Sequence, residues 1–431
     1  MAEVRGVRGV RYDPARVGDI GQVIAPPYDV VSPAEQAALA ARHPANIIRV
    51  ELPPSEPGEP PLARYARAAA TLRGWLADGT LRAEARPAVY VHDHTFSHGG
   101  RRLTRRGLFA GVRLAPWSAG QVLPHEHTLP TPKADRLNLY RATRAQVSPI
   151  FALYEDPGGE IASVLQWTAT ARPAVETTDP SGDEHRLWVL SEPALLDELA
   201  DLFAGRPLFI ADGHHRYETG LAYRDERLAA DPAAGPDAPF RFALLCLSDV
   251  ADPGLVILPT HRLIVGPPPE AARVEAALRQ VFHVEPLPAD IATPALLARL
   301  AERQAAHAFG WVTAEGVALL TLKDESFLAE WMPAGHAAAW RTLDVAILQV
   351  LLLERALGID AATLEGRVAY TRDAGEARAA VAAGQAHLAL LLNPTDLTGL
   401  LAVARAGDQM PQKSTYFYPK VPTGLVLHDM A

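Results

Sequence analysis

The residues best suited to chemistry stand in one short run, Asp212-Gly213-His214-His215-Arg216. An apolar stretch over 208–211 precedes it and reads as a buried strand, while the residues from His214 to about Ala230 suit a helix. Gly213 lets the backbone turn sharply and approach a ligand closely. The start of the helix then offers free N–H groups and a dipole that favours an anion. Acidic residues usually occupy such a first turn, so two histidines and an arginine there are costly unless an anion meets them. The competing reading is an ordinary Asp-Gly turn with solvated histidines.

The anion this arrangement suits is a phosphate. Phosphoryl transfer needs charge stabilisation, alignment of donor and acceptor, and a group that takes the nucleophile's proton. Arg216 can hold a phosphate bidentately beside the backbone of Gly213. His214 or His215 can donate to a non-bridging oxygen or shuttle a proton, and His215 is the catalytic candidate of the two. Asp212 can cap the helix, bind Mg2+, or activate a hydroxyl. Asp29, in the rigid run Ala25-Pro26-Pro27-Tyr28-Asp29, is the second carboxylate candidate, set against an Asx turn before Ser32-Pro33.

Further candidates lie in two polar, proline-rich segments. Residues 123–136 carry His125, His127 and Lys133, and the tail carries Lys413 and Ser414; all five are candidate contacts to substrate or phosphate. For Lys133 the alternative is a solvated lysine at a helix start, and for the tail a terminal strand held by Tyr416, Phe417 and Tyr418. His92 and His94, with His125 and His127, also permit a transition-metal reading, although His-x-His lacks the spacing specificity of a Cys/His zinc motif.

The bulk properties bound the answer. The chain has 431 residues, enough for two or three domains, with 48% hydrophobic and 21% charged residues. Its formal net charge is −9 with no long Lys/Arg block, which disfavours nucleic-acid backbone binding. The single cysteine, Cys246, sits in an apolar run and has no partner for an internal disulfide. No apolar leader or stretch of spanning length is evident, so a soluble cytoplasmic protein with no membrane partner is expected. The oligomeric state stays open, a homodimer included.

The elements that must position these residues follow from periodicity and punctuation. Ser32-Pro33-Ala34-Glu35 predicts a capped helix over 33–42, and residues 46–52 read as a strand. Strands over 88–96 and 103–114 flank Gly99-Gly100, a hairpin signal. A helix is expected from Lys133 to about Ala145, strands over 148–154, 186–190 and 242–248, and a helix over 193–203. Beyond the boundary at 267–269 come helices over 270–281 and 294–305, a hairpin over 308–322, an apolar helix over 343–357, strands over 367–371 and 387–393, and a last helix over 396–406. Crossover and hairpin strands mixed with helices predict an α+β (mixed α/β) fold. The expected domains are 1–266, holding the candidate site, and 267–431, a mixed α/β domain whose tail can return to it.

Residues 25–30, 123–133, 211–217 and 410–420 resemble, in this order, the motifs of the domain-of-unknown-function 1015 (DUF1015) family, along nearly the whole chain. The Asp-Gly-His-His-Arg turn is also similar to the motif of the ParB/sulfiredoxin-like superfamily, which includes free L-serine kinases. That second resemblance implies a ParB/sulfiredoxin-like core around the strand–turn–helix unit and assigns Gly213, His214, His215 and Arg216 to a nucleotide's phosphates. The catalytic cysteine of sulfiredoxins has no counterpart in this motif. The expected activity is phosphate transfer between ATP or ADP, with Mg2+, and a small hydroxy amino acid, free L-serine or O-phosphoserine, within serine metabolism. Phosphoserine hydrolysis in the same pocket and a non-enzymatic nucleotide switch of ParB type are the alternatives.

Overall fold

The computed structural model describes residues 2–128, 130–267, 270–360 and 362–431. Leu129, within the proline-rich segment, and Pro268 and Pro269, at the expected boundary, lie outside the described residues. The chain divides into two compact units. The first comprises Met1–Pro124, Thr128–Val256 and Pro419–Ala431; the second comprises His125–His127 and Ile257–Tyr418. Both are mixed α/β, as expected.

A nine-stranded mixed sheet organises the first unit. Its order is Val122–Leu123, Leu208–Asp212, Ile150–Tyr154, Phe242–Asp249, Arg101–Arg113, Val89–His98, Glu184–Leu190 and Val175–Thr178, with Val4–Arg5 also paired to Arg101–Arg113. Two of its pairings are parallel, Leu208–Asp212 with Val122–Leu123 and Phe242–Asp249 with Ile150–Tyr154. The hairpin at Gly99-Gly100 closes with both glycines at positive φ, 57° and 73°, the backbone a two-residue turn between twisted strands requires.

Strand alternation gives the sheet two different faces. Val89, Val91, Leu108, Ala110, Val112, Ile150, Ala152, Leu208, Ile210 and Leu245 form one apolar face. Ile161, Leu165, Leu199 and Phe203 pack onto it from the helices Glu160–Thr168 and Pro193–Phe203. The alternate positions put His92, His94, Arg105, Phe109, Phe151, His185 and Cys246 on the opposite face, which is therefore unusually polar for a buried surface.

Residues 46–52 depart from the expected strand. Ile48–Glu51 is a short helix, because the Asn46 side chain accepts from the Ile48 N–H at 3.0 Å and donates to the Gln22 and Ile24 carbonyls. Ile47, Ile48, Val50 and Glu51 are all buried, so the segment lacks the alternation of a half-buried strand. The helix expected from Lys133 begins earlier and spans Pro130–Thr143.

The second unit holds a six-stranded antiparallel sheet in the order Phe282–Leu287, Val317–Leu322, Ala308–Thr313, Leu388–Leu392, His261–Ile264 and Val368–Thr371. Leu296, Leu300, Ala377 and Val381 from two helices cover one face of it. The expected apolar helix over 343–357 is a single α-helical turn, Asp344–Ile347, running into a π-helix, Leu348–Ala356. Among the described residues no helix is long and apolar enough to cross a membrane.

Candidate functional site

The site is built at the end of the strand Leu208–Asp212. Its register against Ile150–Tyr154 runs Phe209 to Leu153 and Ile210 to Ala152, then shifts so that Asp212 lies opposite Phe151. A bulge of this kind re-aims the residues beyond it. Leu208 and Ile210 face the apolar cluster, and the shift turns Asp212 onto the face that carries Phe151 and Arg105.

Gly213 follows with φ 97° and caps the helix His214–Ala230. The cap is Gly213 itself rather than Asp212, because the Asp212 carboxylate is engaged elsewhere. One oxygen accepts from Arg216 Nη2 and the other from Lys420 Nζ. A Cβ on Gly213 would stand 2.9–3.1 Å from the Arg216 guanidinium, so only glycine leaves room for that side chain to fold back. Arg216 is 3% exposed, and its Nη1 donates to Ser148 Oγ at 3.0 Å and to the Pro149 carbonyl. Burial alone would raise the Asp212 carboxyl, but Lys420 and Arg216 outweigh it and hold the group well below the usual carboxylate range. Burial likewise opposes the charge of Arg216, and Asp212 followed by Asp29 more than restores it.

Three further segments converge here. Thr423 Oγ1 reaches Ser148 Oγ at 3.1 Å, and the Thr423 backbone exchanges hydrogen bonds with Ala25 at 2.8 and 3.2 Å. Residues 419–423 and the Ala25-Pro26-Pro27-Tyr28-Asp29 loop thus share a bridge beside Arg216. Asp29 is exposed in the 3-10 turn Tyr28–Val30, within electrostatic range of Arg216. Beneath it, the Arg136 guanidinium lies 4.1 Å from the Tyr28 ring centroid, donates to the Glu51 carbonyl at 2.7 Å and pairs with Asp135. Glu51 is 1% exposed; burial pushes its carboxyl up against the opposing pull of Arg136 and Arg216.

The other candidates distribute as follows. His214 is buried and His215 partly exposed in the first turn of the helix. Lys133 Nζ donates to Glu218 Oε2 at 2.8 Å, one turn further along the same helix, where Thr128 and Trp117 also donate. His125, His127, Lys413 and Ser414 belong to the second unit. There His125 is buried with its Nε2 at 3.0 Å from Thr415 Oγ1, while His127 is exposed. The Lys413 N–H donates to Glu126 Oε1 at 3.1 Å from a left-handed backbone (φ 58°), and the Ser414 hydroxyl donates to the Pro411 carbonyl.

His92 and His94 pack with His185 in the first unit, whereas His125 and His127 belong to the second. His92 Nε2 lies 3.1 Å from His185 Nδ1, and His94 Nε2 lies 3.0 Å from Asp183 Oδ2. Burial, followed by the neighbouring His185, pushes His92 and His94 well below the usual histidine range. Among the described residues no group of three or more His, Cys, Asp or Glu is placed to hold a metal ion. The two Asp212 oxygens face cations, so magnesium at this carboxylate would have to displace Lys420 or Arg216.

Sequence reasoning gave no role to Lys420, Arg105, Ser148 or Thr423. Lys420 lies in the tail run singled out above, between Pro419 and Val421, and a lone lysine flanked by apolar residues is the available signal. Arg105 is hidden among Arg101, Arg102 and Arg106, which together read as a solvated hairpin. It is 2% exposed, lies 4.6 Å from the Phe151 ring centroid, and donates to the Pro419 carbonyl at 2.7 Å.

No curated protein matches the chain. Among solved structures it is similar to a free serine kinase in complex with AMP (13% identity, TM-score 0.36, 74% of this chain and 92% of that one). It is also similar to SbnI with a C-terminal truncation from Staphylococcus aureus (10%, 0.37, 74% and 87%) and to a conserved hypothetical protein from Pyrococcus furiosus (12%, 0.35, 75% and 95%). All three likenesses are loose. The family described as "Protein of unknown function (DUF1015)" matches residues 4–346, and the chain belongs to that family.

Proposed function

We propose that this protein transfers a phosphoryl group between a nucleotide, ATP or ADP, and a small hydroxy amino acid, with free L-serine and O-phosphoserine as the pair, on a ParB/sulfiredoxin-like core. The observation that carries this reading is the pair of buried cations, Arg216 and Lys420, that meets at Asp212 where the helix His214–Ala230 starts. Arg216 and Lys420 share the single carboxylate of Asp212, and no acidic residue stands in the first turn. A phosphate chain accepts from Arg216 and from the backbone N–H groups that open the helix. The similarity of the Asp-Gly-His-His-Arg turn to that of free L-serine kinases supports the same assignment.

In this reading Gly213, His214, His215 and Arg216 hold the phosphates, and His215 donates to a non-bridging oxygen. Asp212 keeps its two cations in place; a carboxylate so strongly stabilised in its ionised form is a poor base. Asp29 is exposed, lies in a proline-stiffened turn and acts electrostatically on Arg216, so it takes the role of base. The substrate hydroxyl oxygen attacks the terminal phosphorus, and the bond from phosphorus to the bridging oxygen breaks. The nucleotide leaves one phosphate shorter, and the hydroxyl proton passes to Asp29. The Asp212 donor set does not suit a protein-held magnesium ion, and no step uses one.

Phosphorus NMR of the purified chain with Mg2+ tests the reading, comparing L-serine plus ATP or ADP with O-phosphoserine alone. A nucleotide-dependent O-phosphoserine resonance is expected. Free phosphate from O-phosphoserine alone would make the protein a phosphatase and overturn it.

A further inference from the structure

We propose that a cavity at the end of the strand Ile150–Tyr154 away from Asp212 binds the ammonium group of a small aliphatic primary amine. The cavity measures about 550 Å3, lies within the first unit, and has Asp93, Arg106, Tyr154, Leu165, Asp249 and Asp252 in its wall.

The sheet brings these groups together. Asp93, Arg106 and Asp249 each stand two positions along the strand from Val91, Leu108 and Leu247, which belong to the apolar face. That face therefore turns polar where the helix Glu160–Thr168 covers its margin. Arg106 is taken up by Asp93, whose two oxygens accept from it at 2.6 and 2.7 Å. Asp252, in the turn after Phe242–Asp249, accepts from the Arg106 backbone N–H at 3.0 Å and from the Gly254 N–H at 2.7 Å. Asp249 uses one oxygen on the Ala251 N–H at 3.1 Å and accepts no other hydrogen bond among the described residues. Both carboxylates keep lone pairs to spare.

Tyr154 supplies an independent sign of a ligand. It is 2% exposed and its ring meets Phe203 edge-on at 5.0 Å, yet among the described residues its hydroxyl makes no hydrogen bond. Burial, then Asp249, Asp156 and Asp252, push the phenol far above its ordinary value, so the hydroxyl stays protonated within electrostatic range of those carboxylates. A hydroxyl buried so deeply is costly without a partner. An ammonium in the cavity supplies one, since its three N–H donors match three oxygen acceptors, on Tyr154, Asp249 and Asp252. Burial also pushes the Asp252 carboxyl up, despite the N–H groups of Arg106 and Gly254 and the charge of Arg105, and a neighbouring cation offsets that shift. An anionic ligand would instead meet Asp249 and Asp252 at like charge, with Arg106 already bidentate on Asp93. Leu165 leaves an apolar wall for a short alkyl chain.

Ligand-observed NMR titration of the full chain with n-butylammonium chloride tests the proposal in the wild type, Asp249→Asn and Tyr154→Phe, with n-butanol as the uncharged control. Asparagine keeps an oxygen for the Ala251 N–H, and phenylalanine removes a hydroxyl that has no protein partner, so cooperative melting is expected in both variants. The wild type should bind butylammonium in preference to butanol. Affinity should fall by about tenfold or more in Asp249→Asn and by about threefold to tenfold in Tyr154→Phe. No butylammonium binding by the wild type, equal binding of n-butanol, or unchanged affinity in either folded variant would overturn the proposal. Uptake of Ca2+ in place of butylammonium, lost in Asp249→Asn, would overturn the amine assignment as well. None of these outcomes depends on phosphoryl transfer at Asp212.

Discussion

Asp212 and Lys420 are 208 positions apart in sequence and form an ion pair at the start of the helix that carries the Asp-Gly-His-His-Arg motif. The C-terminal segment is thereby part of the first unit and of its candidate site, although most of the chain between belongs to the second unit.

Asp212→Asn leaves Arg216 and Lys420 buried without their carboxylate. A loss of about 3–5 kcal/mol of unfolding free energy is expected, read by urea denaturation. Combining it with Lys420→Met should recover part of that loss. A single-variant cost below about 0.5 kcal/mol would show that the pair does not hold the site together.

The same pair fixes a pH dependence. Asp212 is depressed in the folded state, so its contribution is complete above the unfolded carboxylate pKa of about 3.9 and is lost as pH falls through the lower folded value. Between pH 7 and pH 5, acid sensitivity should come instead from histidines. Burial lowers His261 from 6.5 to about 4 and pushes His92 and His94 well below their usual range. A depressed histidine stabilises the fold above the unfolded pKa of about 6.5 and costs stability as pH drops below it, on the order of 3 kcal/mol for His261 by pH 4. His261→Gln should flatten the fall in melting temperature between pH 7 and pH 5, whereas Asp212→Asn should leave its slope unchanged.

Gly213→Ala meets two obstacles at once. The backbone at φ 97° is costly for an L side chain, and the new Cβ would displace the Arg216 guanidinium. A loss of about 1–2 kcal/mol or more is expected by denaturant unfolding, with weaker pyrophosphate binding. Wild-type stability and affinity together would contradict the account of this turn.

Lys133→Met removes the contact with Glu218, but the lysine side chain is 36% exposed. The cost should stay below about 1 kcal/mol, so any large loss of turnover in this variant would report a contact to substrate instead.

The strand, glycine turn and helix around Asp212 were legible because each is a local signal: an apolar run, a residue free to take positive φ, and amphipathic spacing. The hairpin at Gly99-Gly100 was legible for the same reason. What escaped depends on distant partners. The bulge that turns Asp212 off the apolar face is set by register against Ile150–Tyr154, and nothing in residues 208–212 encodes it. Asp212 itself reads as a helix cap until Lys420 is known to lie beside it. Residues 46–52 are apolar enough for a strand, and only the hydrogen bonds of Asn46 to Gln22 and Ile24 explain the helical turn.

The most direct test of phosphoryl transfer at this site is the rate of O-phosphoserine formation by Arg216→Ala relative to wild type, followed by phosphorus NMR with L-serine, Mg2+ and ATP or ADP. The variant keeps Lys420 on Asp212, so a folded protein is expected. The account predicts nucleotide-dependent O-phosphoserine in the wild type and a fall of about a hundredfold or more in the variant. Wild-type turnover in Arg216→Ala would contradict it.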